Sequence, residues 1–146
     1  MTYEKINKNE TKILEILLVE DSHSDAYLTK EILSESNIPY QIHWVKNGVE
    51  AIDFLEQQGD YSNVPRPDLI LLDLNLPKKN GREVLMYLTG DKNLKTIPTI
   101  VLTTSGDERG IFDNYQLEMS YFLVKPLDLD DFTVFVQSID QIFHLV

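Results

Sequence analysis

At 146 residues the chain is sized for one domain with a core of its own, and its 42% hydrophobic and 25% charged residues are ordinary for a globular protein. A formal net charge of -11 and a pI of about 4.5 argue against nucleic acid or an anionic membrane as a direct partner, while leaving room for a metal cation in an acidic pocket. There is no cysteine for a disulfide, a zinc thiolate or thiol catalysis, no apolar run near the ~20 residues of a membrane span, and no apolar signal-peptide core at the start, so a cytoplasmic protein is the expectation.

Residues 1–12 show no apolar period and read as a flexible N-terminal extension, with residues 13–146 as the domain. Ile13 to Val19 predicts a first strand, interrupted only by Glu15 and ending on Glu20-Asp21. Ser22 or Ser24 can cap a helix beginning near Asp25, with Leu28, Ile32 and Leu33 as its stripe. Asn37-Ile38-Pro39 stops it. Tyr40 to Val45 reads as a second strand with Trp44 in the core, and Asn47-Gly48 as a turn. Val49, Ile52 and Leu55 predict a short helix flanked by Ala51 and Phe54, and Gln57 to Pro67 a polar loop. Leu69 to Leu72 is an unbroken apolar run that ends on Asp73, the pattern of a central parallel strand buried on both faces.

Pro77 and Asn80-Gly81 turn the chain into a third helix carrying Val84, Leu85 and Leu88. After a loop from Gly90 to Thr96, Pro98 opens a strand over Thr99 to Thr103. A helix is expected from Asp107 to Leu117, weakened at Gly110, then a strand from Tyr121 to Val124, and after Lys125-Pro126 a last helix from Asp128 to His144. Strand and helix thus alternate through the whole chain. That order implies a doubly wound α/β fold, a five-stranded parallel sheet flanked by five helices.

Parallel strands end on one edge of their sheet, where open α/β folds hold their ligands. Glu20-Asp21, Asp73, Thr103-Thr104 and Lys125 all fall at strand ends, so they should meet in one shallow pocket. Each has an ordinary alternative: the acidic pair as a helix cap, Asp73 as a turn former, Thr103 as a strand-end hydroxyl, Lys125 as a solvated charge. Their coincidence at one edge is what favours a site. Carboxylates ~4 Å apart repel by about 4 kcal/mol per pair at an effective dielectric near 20, so one is protonated or a cation joins them. Oxygen ligands with water positions suit Mg²⁺, with Mn²⁺ or Ca²⁺ able to substitute. Asp21 and Asp73 are the expected direct ligands, with the Asn75 backbone carbonyl, and Glu20 through a water. The free oxygen of Asp73 is then a candidate nucleophile, and Thr103 and Lys125 could hold the oxygens of a phosphoryl group. His23 and His43 lack a second ligand at metal spacing and read as structural.

With these residues placed, the chain resembles a two-component response-regulator receiver domain of the stand-alone type. The resemblance rests on Glu20-Asp21, Asp73-Leu74-Asn75-Leu76-Pro77 with Gly81, Leu102-Thr103-Thr104-Ser105 and Lys125-Pro126, and covers Ile13 to Phe143. It implies a flavodoxin-like sheet of order 2-1-3-4-5. It also implies Asp73 as phosphoacceptor, Thr103 and Lys125 as phosphate-sensing residues, and a cis Lys125–Pro126 bond. Phe122 falls at the family's rotating aromatic and Thr103 at its switch residue. Lacking a hydroxyl, Phe122 has no hydrogen-bonded inward state. Trp44-Val45-Lys46-Asn47-Gly48, the loop from Gln57 to Pro67 and Leu102 to Ser105 are similar to small regulators paired with phytochrome-type histidine kinases, notably cyanobacterial ones.

On a wheel of the last helix, Phe132, Val136, Ile139, Phe143 and Val146 form a buried stripe, with Val134 and Leu145 nearly opposite. That excess of apolar surface suggests a homodimer contact through this helix and the neighbouring strand and helix. Three rival readings remain at this level, one of them a receiver fold that never becomes phosphorylated, against which the complete residue set speaks. An aspartate-nucleophile phosphatase needs an acid two residues after the nucleophile, where this chain has Asn75; a flavodoxin-like cofactor module needs a phosphate loop where it has Glu20-Asp21.

Overall fold

The computed structural model describes residues 13–74, 80–104 and 120–139. The apolar runs become five parallel strands: β1 (Leu14–Val19), β2 (Tyr40–Val45), β3 (Leu69–Asp73), β4 (Thr99–Thr103) and β5 (Ser120–Val124). Their order in the sheet is 2-1-3-4-5. This order sets the apolar strands β1 and β3 side by side, with Leu18 opposite Leu71 and Val19 opposite Leu72. β3 and β4 are buried at every position. β2 and β5, at the edges, are not.

Four α-helices are present among the described residues: α1 (His23–Leu33), α2 (Gly48–Leu55), α3 (Asn80–Thr89) and α4 (Leu129–Gln137). The fifth expected helix, Asp107 to Leu117, lies outside the described residues. Side chains cap α1, α2 and α4. Ser22 accepts from the Asp25 N–H, Asn47 from that of Glu50, and Asp128 from that of Asp131. Short 3₁₀ turns at Gly59–Tyr61 and Leu94–Thr96 punctuate the two segments expected to be loops.

The sheet separates two cores. Leu17, Val19, Ile70, Leu72 and Val101 face α2 and α3. The alternate residues of the same strands, Ile16, Leu18, Leu69, Leu71, Ile100 and Leu102, face α1 and α4. The α3 stripe is as expected, with Val84, Leu85 and Leu88 all buried. Two other stripes are rotated. On α1, Leu28 is 47% exposed while Ala26, Thr29 and Leu33 face the sheet. On α2, Val49 is 68% exposed while Gly48, Ala51 and Phe54 are buried. In both helices small residues take part of the contact line, allowing the backbone closer to the sheet than a Leu or Val stripe would. Trp44 is half-buried rather than core, because β2 is an edge strand.

α4 buries Phe132, Phe135 and Val136, with Ile139 just beyond its end. Val134 is 64% exposed, but it lines a groove with Glu35, Ser36 and Ile38 at the end of α1 rather than a face shared with β5. Phe143, Leu145 and Val146 lie outside the described residues. His43 is structural as expected: its Nε2 is 2.7 Å from Glu15 Oε1, which gives the one polar residue of β1 a partner.

Candidate functional site

The C-terminal edge of the sheet gathers its charges from three strand ends. Asp73 is the last residue of β3, only 3% exposed, and the next residue's N–H donates to the Leu102 carbonyl at 2.8 Å. Glu20 follows β1 and donates its N–H to the Val45 carbonyl at 3.0 Å. Asp21, beside it, is exposed to solvent. Ligand atoms of Glu20, Asp21 and Asp73 all lie within 4.8 Å of one another, so one ion can reach all three. Gly81 lets α3 begin against this strand end: a Cβ there would fall 2.6 Å from the Asp73 carbonyl oxygen.

Lys125 reaches the cluster from the far side. Its N–H donates to the Thr103 carbonyl at 2.7 Å, and its peptide bond to Pro126 is cis. The ammonium lies 2.9 Å from Glu20 Oε1, 2.9 Å from Asp25 Oδ2 and 3.2 Å from Asp73 Oδ2. Asp25 is a member of this site that sequence reasoning places only at a helix start. The signal is its position in the first turn of the helix that follows the acidic pair, on the side that α1 turns toward the strand ends.

The electrostatics are unbalanced. Burial pushes the Glu20 carboxyl up to about 7, helped by a hydrogen bond and charge from Asp73 and only partly opposed by Lys125. For Lys125 burial acts downward, but the bonds to Asp25 and Glu20 and the charge of Asp73 overcome it and move the ammonium upward. One lysine thus meets three carboxylates, with a fourth, Asp21, close by. An all-oxygen acidic donor set with a glutamate driven toward its neutral form is what a divalent cation would relieve. Glu20 already commits Oε1 to Lys125 and Oε2 to the Ser22 N–H at 3.3 Å, which suits a role one water removed from an ion. Asp21, paired with no cation among the described residues, is free to ligate directly.

Thr103 ends β4 beside β3 and is fully buried. It stands level with Val124, two residues after the Val101–Phe122 pair, so Thr103 and Phe122 belong to the same sheet face. Phe122 is buried in the core beneath α2 and α3, already inward. Asn75 lies outside the described residues.

The sheet order, the three clustered acids and the lysine after the last strand define the receiver class of α/β domains. The chain belongs to the response regulator receiver domain family, which it matches over residues 16–137. The role of that family is to take a phosphoryl group on an aspartate from a histidine kinase. Response regulator Rcp1 of Synechocystis sp. is 48% identical over 125 residues, covering 86% of this chain and 85% of that protein. Two solved structures are similar over most of their length. The phosphorylated cyanobacterial phytochrome response regulator RcpA is 44% identical with a TM-score of 0.70, covering 89% of this chain and 93% of its own. The Mn²⁺-bound form of Rcp1 is 47% identical with a TM-score of 0.69, covering 90% and 94%. No helix among the described residues is long and apolar enough to cross a membrane.

Proposed function

We propose that this chain is a cytoplasmic response regulator that accepts a phosphoryl group on Asp73 from a phytochrome-type histidine kinase. On this reading residues 13–146 are the receiver domain, with residues 1–12 outside it. The observation that carries the reading is the position of Asp73: a buried strand-end carboxylate within reach of two further acids and 3.2 Å from a lysine ammonium. The kinase pairing rests on similarity to RcpA, a regulator named for a phytochrome.

Asp21, Asp73 and the Asn75 carbonyl would hold Mg²⁺, with Glu20 acting through a water. When bound, the ion supplies charge neutralisation that lets an anionic donor approach an acidic site. Asp73 presents one carboxylate oxygen to the phosphorus of the donor phosphohistidine. An O–P bond forms as the P–N bond breaks, and the imidazole leaves with the electron pair and takes up a proton. Lys125 exchanges a carboxylate contact for a phosphoryl oxygen, and the Thr103 hydroxyl donates to another. These are positioning and electrostatic tasks, the main demands of phosphoryl transfer.

The new contacts exist only in the phosphorylated state, so they bias the protein toward whatever arrangement of Thr103, Phe122 and the β5–α4 face accommodates them. Tyr121 and Val124 leave apolar surface exposed along the edge strand β5, from its opposite faces, and Tyr121 stacks on Phe135 of α4 at 5.6 Å. This surface is the switched interface, for a second copy or another partner. Neither rival function fits as well: the phosphatase lacks its second acid, and Glu20 and Asp21 would repel the phosphate of a flavodoxin-type cofactor.

Incubation with acetyl phosphate and Mg²⁺, followed by intact mass measurement, tests the reading. The wild type gains one phosphoryl group and Asp73→Asn gains none. A gain in both proteins, or in neither, overturns it.

A further inference from the structure

The acidic pair is held from the side by a residue that touches no carboxylate. The indole N–H of Trp44 donates to the Glu20 carbonyl at 2.7 Å. That carbonyl belongs to the peptide joining Glu20 to Asp21. Because a peptide unit is planar, fixing its oxygen together with the Glu20 N–H, which is bound to the Val45 carbonyl at 3.0 Å, sets the direction in which the Asp21 Cα leaves. Glu20 and Asp73 have Lys125 to hold their side chains. Asp21 has no ion-pair partner among the described residues, so its placement falls to the backbone.

The indole is itself braced. His23, at the start of α1, meets it edge-on with centroids 5.1 Å apart and planes at 89°. The ammonium groups of Lys30 and Lys46 lie 4.9 Å and 5.3 Å from its centroid. Contacts from α1 and from the end of β2 thus converge on one ring, whose single polar atom points at the acidic pair.

We infer that Trp44 is a positioning residue of the divalent-cation site, presetting the Glu20–Asp21 peptide so that Asp21 can ligate without reorganisation. The inference rests on the cation-site reading above. A purely structural tryptophan would stabilise the fold equally with and without the ion; a positioning one adds to ion affinity.

The chain has one tryptophan, so analogue incorporation in a tryptophan-requiring host alters this position alone. Benzothienylalanine keeps the shape and replaces the N–H by sulfur; azatryptophan keeps the N–H. Mg²⁺ and Mn²⁺ affinities are measured by calorimetry, with the rise in thermal midpoint on adding Mg²⁺ as a second readout. The expected result is a ~3- to 10-fold loss of affinity and a smaller Mg²⁺-induced rise for the benzothienyl protein, the range one lost hydrogen bond covers, with the aza protein matching wild type. Trp44→Phe, a ring on the same half-buried edge strand, should weaken binding alike and serves if the analogue protein folds poorly. Equal affinities in the wild type, the benzothienyl protein and Trp44→Phe overturn the role of Trp44. Absence of binding by the wild type overturns the cation site itself.

Discussion

Glu20 is the residue at which the cost of the site is visible. Its carboxyl ordinarily titrates at 4.5 but is driven up to about 7 in the fold, first by burial and then by Asp73. Between those values the folded protein holds a proton that the unfolded chain has released, so folding is linked to proton uptake. The contribution of Glu20 to the stability of the metal-free protein therefore falls as pH rises from 4.5 through about 7. Thermal midpoints in chelator across that range should show the decline, Glu20→Gln should flatten it, and Mg²⁺ should restore most of the loss on the alkaline side. A midpoint that rises through the same range in wild type would contradict this account of the cluster. The acids and Lys125 were legible in the sequence because each ends an apolar run. Asp25 was not, since an acid in the first turn of a helix has an ordinary explanation in the helix dipole; only the path of Lys125 across the sheet edge gives it a second one.

Among the elements, α3 is coupled most tightly to the chemistry. Its second residue, Gly81, sits where any Cβ would collide with backbone, 2.6 Å from the Asp73 oxygen and 2.7 Å from that of Leu74. Backbone cannot swing aside as a side chain can, so Gly81→Ala must push the start of α3 and the end of β3 apart. A stability loss of about 1–3 kcal/mol in urea unfolding is expected, together with slower phosphorylation by acetyl phosphate measured where the variant is fully folded. An unchanged rate and stability would mean that the strand end tolerates displacement. The strands were readable from apolar runs alone, since β3 and β4 are buried at every position and need no choice of face. Helix faces were harder. Val49, Ile52 and Leu55 fit a helical period as well as Gly48, Ala51 and Phe54 do, and hydrophobicity favours the first set. Close packing against the sheet is served by the small Gly48 and Ala51, which let the helix approach, with Phe54 filling the space beyond them, and the structure follows packing.

For the molecule as a whole, the described helices cover both faces of the sheet, and the edge strand β5 keeps exposed side chains. Val124 is 48% exposed there and Tyr121 is also partly uncovered, on the strand that leads directly into Lys125. A contact on this surface is therefore mechanically close to the phosphoryl site. If two copies pair through it about a two-fold axis, Val124→Glu places two like charges at the seam, while costing the monomer within ~0.5 kcal/mol as an exposed substitution. Sedimentation of the phosphorylated protein should show a dimer for the wild type and a monomer for Val124→Glu. Dimerisation undiminished by the variant would move the interface elsewhere. The sequence pointed to this region through the apolar excess of the last helix, yet Val134, which contributed to that expectation, faces the end of α1 instead. Helical wheels locate a residue around an axis without saying which neighbour fills each sector, and that information came only from the sheet order.

The central claim is that Asp73, and no other acid at this edge, carries the phosphoryl group. Borohydride reduces an acyl phosphate to an alcohol, so treating the phosphorylated protein and sequencing its peptides by mass spectrometry marks the acceptor. The account predicts homoserine in place of Asp73 and unmodified aspartate at Asp21 and Asp25. Reduction at Asp21 or Asp25 with Asp73 intact would contradict it.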